Sequence, residues 1–312
     1  MSVAPGPPRR RPGPSLPPLM LGDRPPSRPP FSGAQQLRLL AYFLLTFLVT
    51  WSVWFAASGL AAPGNTGLFG GRGPVFLLGV FAPALVALAL TAQAEGRTGV
   101  MRLLARIGHW RVGARWYAVA IGYFAVVKLV AALVHRIVTN EWPPFGDTPV
   151  ALIFLGIAVS TWVQAGEEVG WRGYALPRLA QYFGLGGASL VLGVAWAVWH
   201  LPLFVLPDSG STGQSFPAYL LQVMAMSVVS AFLYWKTDGS LLLTMLMHAS
   251  VNNTTGLVPA AIGGAITPIA FGGSLVAWAT VAISWAIAIP LLIRMRRADT
   301  GNMLTSASTA SP

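Results

Sequence analysis

Residues 157–172 read IAVSTWVQAGEEVGWR, and the fold turns on how that stretch is taken. Two adjacent carboxylates, Glu167 and Glu168, follow an apolar run that starts near Pro149 and contains no further proline until Pro177. At about 1.5 Å per residue such a helix would be about 43 Å long, enough to enter a bilayer and project past it. The bland reading makes the carboxylates an interfacial helix end, with Glu168 paired to Arg172 four residues on. The sharper reading puts them inside the membrane. Ionisable groups there are costly and face a polar cavity or a partner.

The rest of the chain favours the sharper reading. It has nine acids and four histidines, and two of each fall inside apolar runs. His200 ends the stretch 195–200, AWAVWH, and His248 opens 248–252, HASVN, with Asn252 one helical turn beyond it on the same face. A buried carboxylate and two imidazoles are satisfied at lower cost together than apart.

Composition bounds the class. Charged residues make up 9% of the chain, against about 25% in soluble domains. Mean hydropathy is +0.63. These values indicate an all-α, polytopic membrane protein. Eight apolar segments approach the length of about 20 residues that spans a bilayer: 39–58, 74–94, 117–136, 149–177, 187–206, 217–235, 239–258 and 273–293. The expected architecture is about eight transmembrane helices around an intramembrane polar cavity. Residues 1–35, rich in proline and arginine, read as a disordered cytoplasmic tail, 36–296 as the membrane domain, and 297–312 as a second disordered tail.

Arginines at 9–11, 24, 28 and 38, at 97, 102, 106, 111 and 115, and at 294, 296 and 297 fall on one side if the span count is even. The opposite loops hold only Arg72. Both termini are therefore expected in the cytoplasm, at a plasma membrane of bacterial type. The net charge of +11 reads as contact with anionic lipid rather than with nucleic acid, for which no motif is present. The 97–116 connection, alternating arginines with apolar residues, is expected to be an amphipathic helix on the membrane surface. His109 and His135 read as interfacial.

The chemistry is bounded by what is missing. No cysteine is available as nucleophile or ligand. Neither a Gly-x-Ser-x-Gly elbow nor a His-Glu-x-x-His zinc helix occurs. A carboxylate and a histidine remain to activate water, with a His/Asn pair for an oxyanion. Glu plus two His also resembles a zinc ligand set. Both routes lead to hydrolysis of an acyl bond.

These residues resemble a known family. Residues 167–172, EEVGWR, fit an EExxxR motif; 196–200, WAVWH, fit FxxxH with Trp196 in place of the usual phenylalanine; and 248–252 fit HxxxN. Their order and spacing are similar to those of the CPBP family, which contains the type II CAAX prenyl endopeptidases and the bacterial Abi proteins. The resemblance implies an intramembrane endopeptidase acting on a membrane-associated protein or peptide. Glu167 and His200 would activate water. His248 and Asn252 would line the oxyanion hole, and Glu168 with Arg172 would support the site. It leaves zinc undecided: a metal, if used, would sit on Glu167, His200 and His248. A non-catalytic scaffold or bacteriocin-immunity protein is the alternative, and a proton-coupled transporter a weaker one.

Weaker signals complete the reading. Lys128, midway along the third span, is expected either to snorkel or to face the cavity. Gln164 is a candidate for the same face as Glu167. Trp162, Trp171, Trp196 and Trp199 read as packing or substrate-wall residues, and Gly166, Gly170 and Gly173 as points of close helix approach.

Overall fold

The computed structural model describes residues 33–59, 73–206, 209, 211, 213–260 and 274–308, and side chains as far as Arg296. Most of the expected N-terminal tail lies outside these residues; 33–35 already belong to the first helix. The helices are α1 (Gly33–Gly59), α2 (Gly73–Ala105), α3 (Ala114–Thr139), α4 (Val150–Val163), α5 (Ala165–Glu168), α6 (Leu176–Trp199), α7 (Phe216–Lys236), α8 (Leu241–Thr254) and α9 (Leu275–Ser308). No strand occurs among the described residues. The all-α, multi-pass architecture expected from composition is what forms. The last helix continues past residue 296, where the sequence reading ends the membrane domain.

Six helical runs among the described residues are long and apolar enough to cross a bilayer, not eight. Two features account for the difference. The fourth and fifth expected spans belong to one run, Val150–Trp199, of 50 residues. A straight run of that length would be about 75 Å, more than twice a hydrocarbon core of about 30 Å. The chain turns within it at Gly184, whose φ of 66° suits a residue without Cβ. The seventh expected span, α8, has 14 helical residues, about 21 Å, and is short of the core thickness. It packs against α3, α4 and α7 inside the bundle, so protein rather than lipid covers it.

Lipid-facing and core-facing sides separate as the sequence pattern requires. On α4, Leu152, Leu155, Val159 and Trp162 are exposed while Ile157 and Thr161 are buried. Trp162 therefore belongs to the outer apolar face and neither packs in the core nor lines the cavity described below, contrary to the expectation from sequence. Trp171, Trp196 and Trp199 are buried as expected.

Inside the bundle, backbone polarity is satisfied locally. Pro83 has no N–H, so the Gly79 carbonyl one turn before it in α2 loses its helical donor. Thr50 Oγ1 of α1 donates to that carbonyl at 3.0 Å and accepts from Trp199 Nε1 at 2.8 Å. One threonine thus ties α1 to a proline-weakened turn and to the end of α6. Such substitution of partners is what membrane helices with internal proline need.

The connection after α2 is less helical than expected. Gly96 kinks α2, the helix ends at Ala105, and residues 106–109 form tight turns. This connection anchors the start of α8: Leu241 N–H donates to the Arg106 carbonyl at 3.0 Å, and Ser240 Oγ to the His109 carbonyl at 2.6 Å.

Candidate active site

Glycines bring the carboxylates to their place. A Cβ on Gly166 would stand 2.9 Å from the Val80 carbonyl oxygen, and one on Gly170 would stand 2.6 Å from that of Pro83. One on Gly173 would stand 2.7 Å from a Leu103 methyl. These three positions let α5 and the turns after it lie directly on α2, as the sequence suggested. Between Val169 and Ala175 the helix widens to a π-helix, with Leu176 N–H bonded to the Trp171 carbonyl five residues back. Pro177 supplies a reason, since its ring would clash with the Gly173 carbonyl in a regular α-turn. A π-segment directly after two buried acids re-aims side chains where function is often found.

The two carboxylates have different partners. Glu168 Oε1 accepts from Arg172 Nη1 at 2.8 Å and from His248 Nδ1 at 2.9 Å. Arg172 is fully buried and lies with its guanidinium carbon 4.1 Å from the Trp196 ring centroid. Glu167 Oε2 accepts from Trp196 Nε1 at 2.6 Å. Trp196 thus has a role that a phenylalanine at this position could not perform: it donates to one carboxylate while its face covers the cation that pairs with the other. Its ring also meets His248 edge to face, with centroids 5.1 Å apart.

The histidines are oriented by single contacts. His200 Nδ1 lies 2.9 Å from the Trp196 carbonyl. A carbonyl only accepts, so Nδ1 carries the proton and the neutral ring keeps its lone pair on Nε2. His248 Nδ1 likewise faces an acceptor, Glu168, leaving its Nε2 uncommitted. Asn252, at the partly buried end of α8, has a neighbour with a separate task. Asn253 Nδ2 donates to Ser160 Oγ and to the Ala249 carbonyl, both at 2.8 Å, and joins α8 to α4.

Glu167, His200, His248 and Asn252 line one cavity of about 410 Å³, with Trp196 and Gln164. Glu168 and Arg172 stand behind that wall and do not line it. Four residues chosen from three distant stretches of sequence therefore meet at one space. Lys128 follows neither expectation: it is fully buried, does not line the cavity and forms no ion pair with the glutamates. Among the described residues no three His, Asp or Glu side chains are grouped so as to hold a metal ion.

The sequence reading missed the wall contributed by α7. Helix α7 contributes Tyr219, Gln222, Val223 and Met226, one helical face at spacings of three and four. A signal was available: Gln222 is the one amide within the apolar segment 217–235.

Comparison with known proteins bears on the same residues. The family model "Type II CAAX prenyl endopeptidase Rce1-like" matches residues 148–254, which span all the candidate residues above. The chain is also 24% identical over 227 residues to "CAAX prenyl protease 2" of Methanococcus maripaludis, covering 68% of this chain and 81% of that protein.

Proposed function

We propose that this chain is an intramembrane endopeptidase of the CPBP family that hydrolyses a peptide bond in a membrane-associated protein or peptide, a reading supported by the family-model match and the curated relative. The observation that carries the reading is the convergence of Glu167, His200, His248 and Asn252 on one cavity, with both histidines and the carboxylate themselves buried.

The chemistry follows from the partners already given. A water held between the Glu167 carboxylate and His200 Nε2 loses a proton to Glu167 and adds its oxygen to the substrate carbonyl carbon. The developing oxyanion receives hydrogen bonds from Asn252 Nδ2 and His248 Nε2. Because His248 Nδ1 already donates to Glu168, an Nε2 donor requires the imidazolium form, and Glu168 offsets that charge. Glu167 then returns the proton to the leaving amine as the C–N bond breaks. Hydrophobic walls exclude bulk water and strengthen each electrostatic contact.

Zinc was tested against the same geometry. Both imidazoles commit Nδ1 to an acceptor and leave Nε2 open, as metal-ligating histidines do. Although the three candidate ligands line one cavity, they are not grouped closely enough among the described residues to hold a metal ion, and Glu167 Oε2 is engaged by Trp196. The donor set as it stands does not fit a bound zinc, whereas a carboxylate-activated water needs only Glu167 and His200.

The arginine distribution supports a multi-pass membrane protein with both termini in the cytoplasm and in contact with anionic lipid. The test is cleavage of a quenched fluorescent peptide library by purified protein, with and without chelator. Cleavage that resists the chelator and disappears in His200→Ala and His248→Ala supports the account. Chelator-sensitive cleavage overturns the metal-free step. Absence of cleavage by folded wild type overturns the protease and turns attention to a binding or scaffold role.

A further inference from the structure

The α7 wall of the cavity contains a polar group with no hydrogen-bond partner among the described residues. Gln222 of α7 is 4% exposed, and neither its Oε1 nor its Nε2 has a hydrogen-bond partner among the described residues. It lines the cavity between Tyr219 on one side and Val223 and Met226 on the other. Glu167, His200 and His248 by contrast each have a hydrogen bond, to Trp196, to a backbone carbonyl and to Glu168 respectively. A buried carboxamide missing both its acceptor and its donor contacts is destabilising, and native structures rarely retain one without a reason.

The position of this amide says what would satisfy it. Tyr219 meets the His200 ring with centroids 5.6 Å apart, and Gln222 lies one helical turn further along the same face. Val223 and Met226 supply no polar partner. A substrate that reaches His200 and Glu167 must bring its backbone past this wall. In an extended segment the N–H and C=O of one residue point to the same side, the complement of a carboxamide's acceptor and donor.

We propose that Gln222 is a substrate-binding residue that clamps the backbone N–H and C=O of one extended substrate residue near the scissile bond. Its Oε1 accepts from the substrate N–H and its Nε2 donates to the substrate C=O. The clamp reads backbone, not side chain, so it holds an extended segment in register while tolerating varied side chains. This inference rests on the endopeptidase reading above and extends it to how the substrate is held.

The test uses a quenched fluorescent peptide that wild type cleaves, resynthesised with a backbone N-methyl or ester at each position in turn. Wild type is expected to lose about three- to tenfold in kcat/KM at one position in particular, the worth of a neutral hydrogen bond. Gln222→Met, close in volume, is expected to raise KM by a similar factor with kcat little changed, and to show no loss on modifying that position. Its Tm is expected to equal or exceed that of wild type, because the substitution removes an unsatisfied amide. Wild-type KM in Gln222→Met, or the same positional sensitivity, overturns the clamp. So does a Gln222→Met protein that fails to fold or melts lower, since the amide then had a structural partner. If wild type cleaves no peptide, the endopeptidase reading fails instead. The clamp is then judged by retention of the same peptides on immobilised protein: greater retention by wild type than by Gln222→Met supports it, and equal retention overturns it.

Discussion

Replacing Arg172 by methionine leaves Glu168 as a buried carboxylate whose remaining partner is His248. Arg172 is fully buried and Glu168 is 1% exposed, so water cannot take the place of the lost cation. Breaking a buried pair in this way costs about 3–5 kcal/mol. Loss of the guanidinium from the Trp196 face is part of that cost and is worth up to about 2 kcal/mol when desolvated. Glu168→Gln keeps an acceptor for Arg172 and His248 but removes its charge, and is expected to cost about 2–3 kcal/mol. The double variant Glu168→Gln/Arg172→Met removes both charges. It is expected to be less destabilised than the two single variants summed, by about 2 kcal/mol or more. Unfolding in mixed micelles, followed by far-ultraviolet circular dichroism, gives the three values. Additivity within about 0.5 kcal/mol would show that the two groups do not act as a pair, and would refute the reasoning.

Other perturbations probe separate parts of the structure. Thr50→Val removes both the donor to the Gly79 carbonyl and the acceptor for Trp199, and is expected to cost about 1–3 kcal/mol in the same unfolding assay. Gly170→Ala places a methyl 2.5 Å from the Tyr42 hydroxyl and 2.6 Å from the Pro83 backbone, so a loss of about 1–3 kcal/mol is expected. Gly122→Ala meets nothing within 4 Å and serves as the control, neutral or more stable in the same melt. Asn252→Ala is expected to lower kcat by about 10²–10³ with little change in KM, the signature of a contact made in the transition state. A raised KM at unchanged kcat would move Asn252 to substrate binding.

The site was legible from sequence where chemistry and hydropathy disagree. Glu167, His200 and His248 stand out because each places an ionisable group in an apolar run, and three such runs in one chain have a common solution. Asn252 followed from helical spacing. What was not legible was the third dimension. Gln222 and Tyr219 lie in an apolar segment with no charge to draw attention, and their place on the same cavity as Glu167 depends on how α7 packs against α6. Trp162 looks like Trp171 or Trp196 in hydropathy, and only the packing of α4 sends it to the outer face. Eight apolar runs were visible. Hydropathy does not show that α8 can be short because other helices sheathe it, nor that Gly184 turns one long run. The hydrogen bond from Trp196 to Glu167 was likewise out of reach, since an aromatic at that position already satisfied the motif.

The most direct measurement is the fate of oxygen in the cleavage reaction. Wild type and Glu167→Gln, each shown folded by its melting curve, are incubated in ¹⁸O-labelled water with a peptide selected from the library, and the products are weighed by mass spectrometry. The account predicts that wild type yields two fragments, the new carboxyl terminus carrying ¹⁸O. It predicts a rate for Glu167→Gln lower by about 10²-fold or more. Labelled product formed by Glu167→Gln at the wild-type rate would contradict the assignment of Glu167 as the group that activates water.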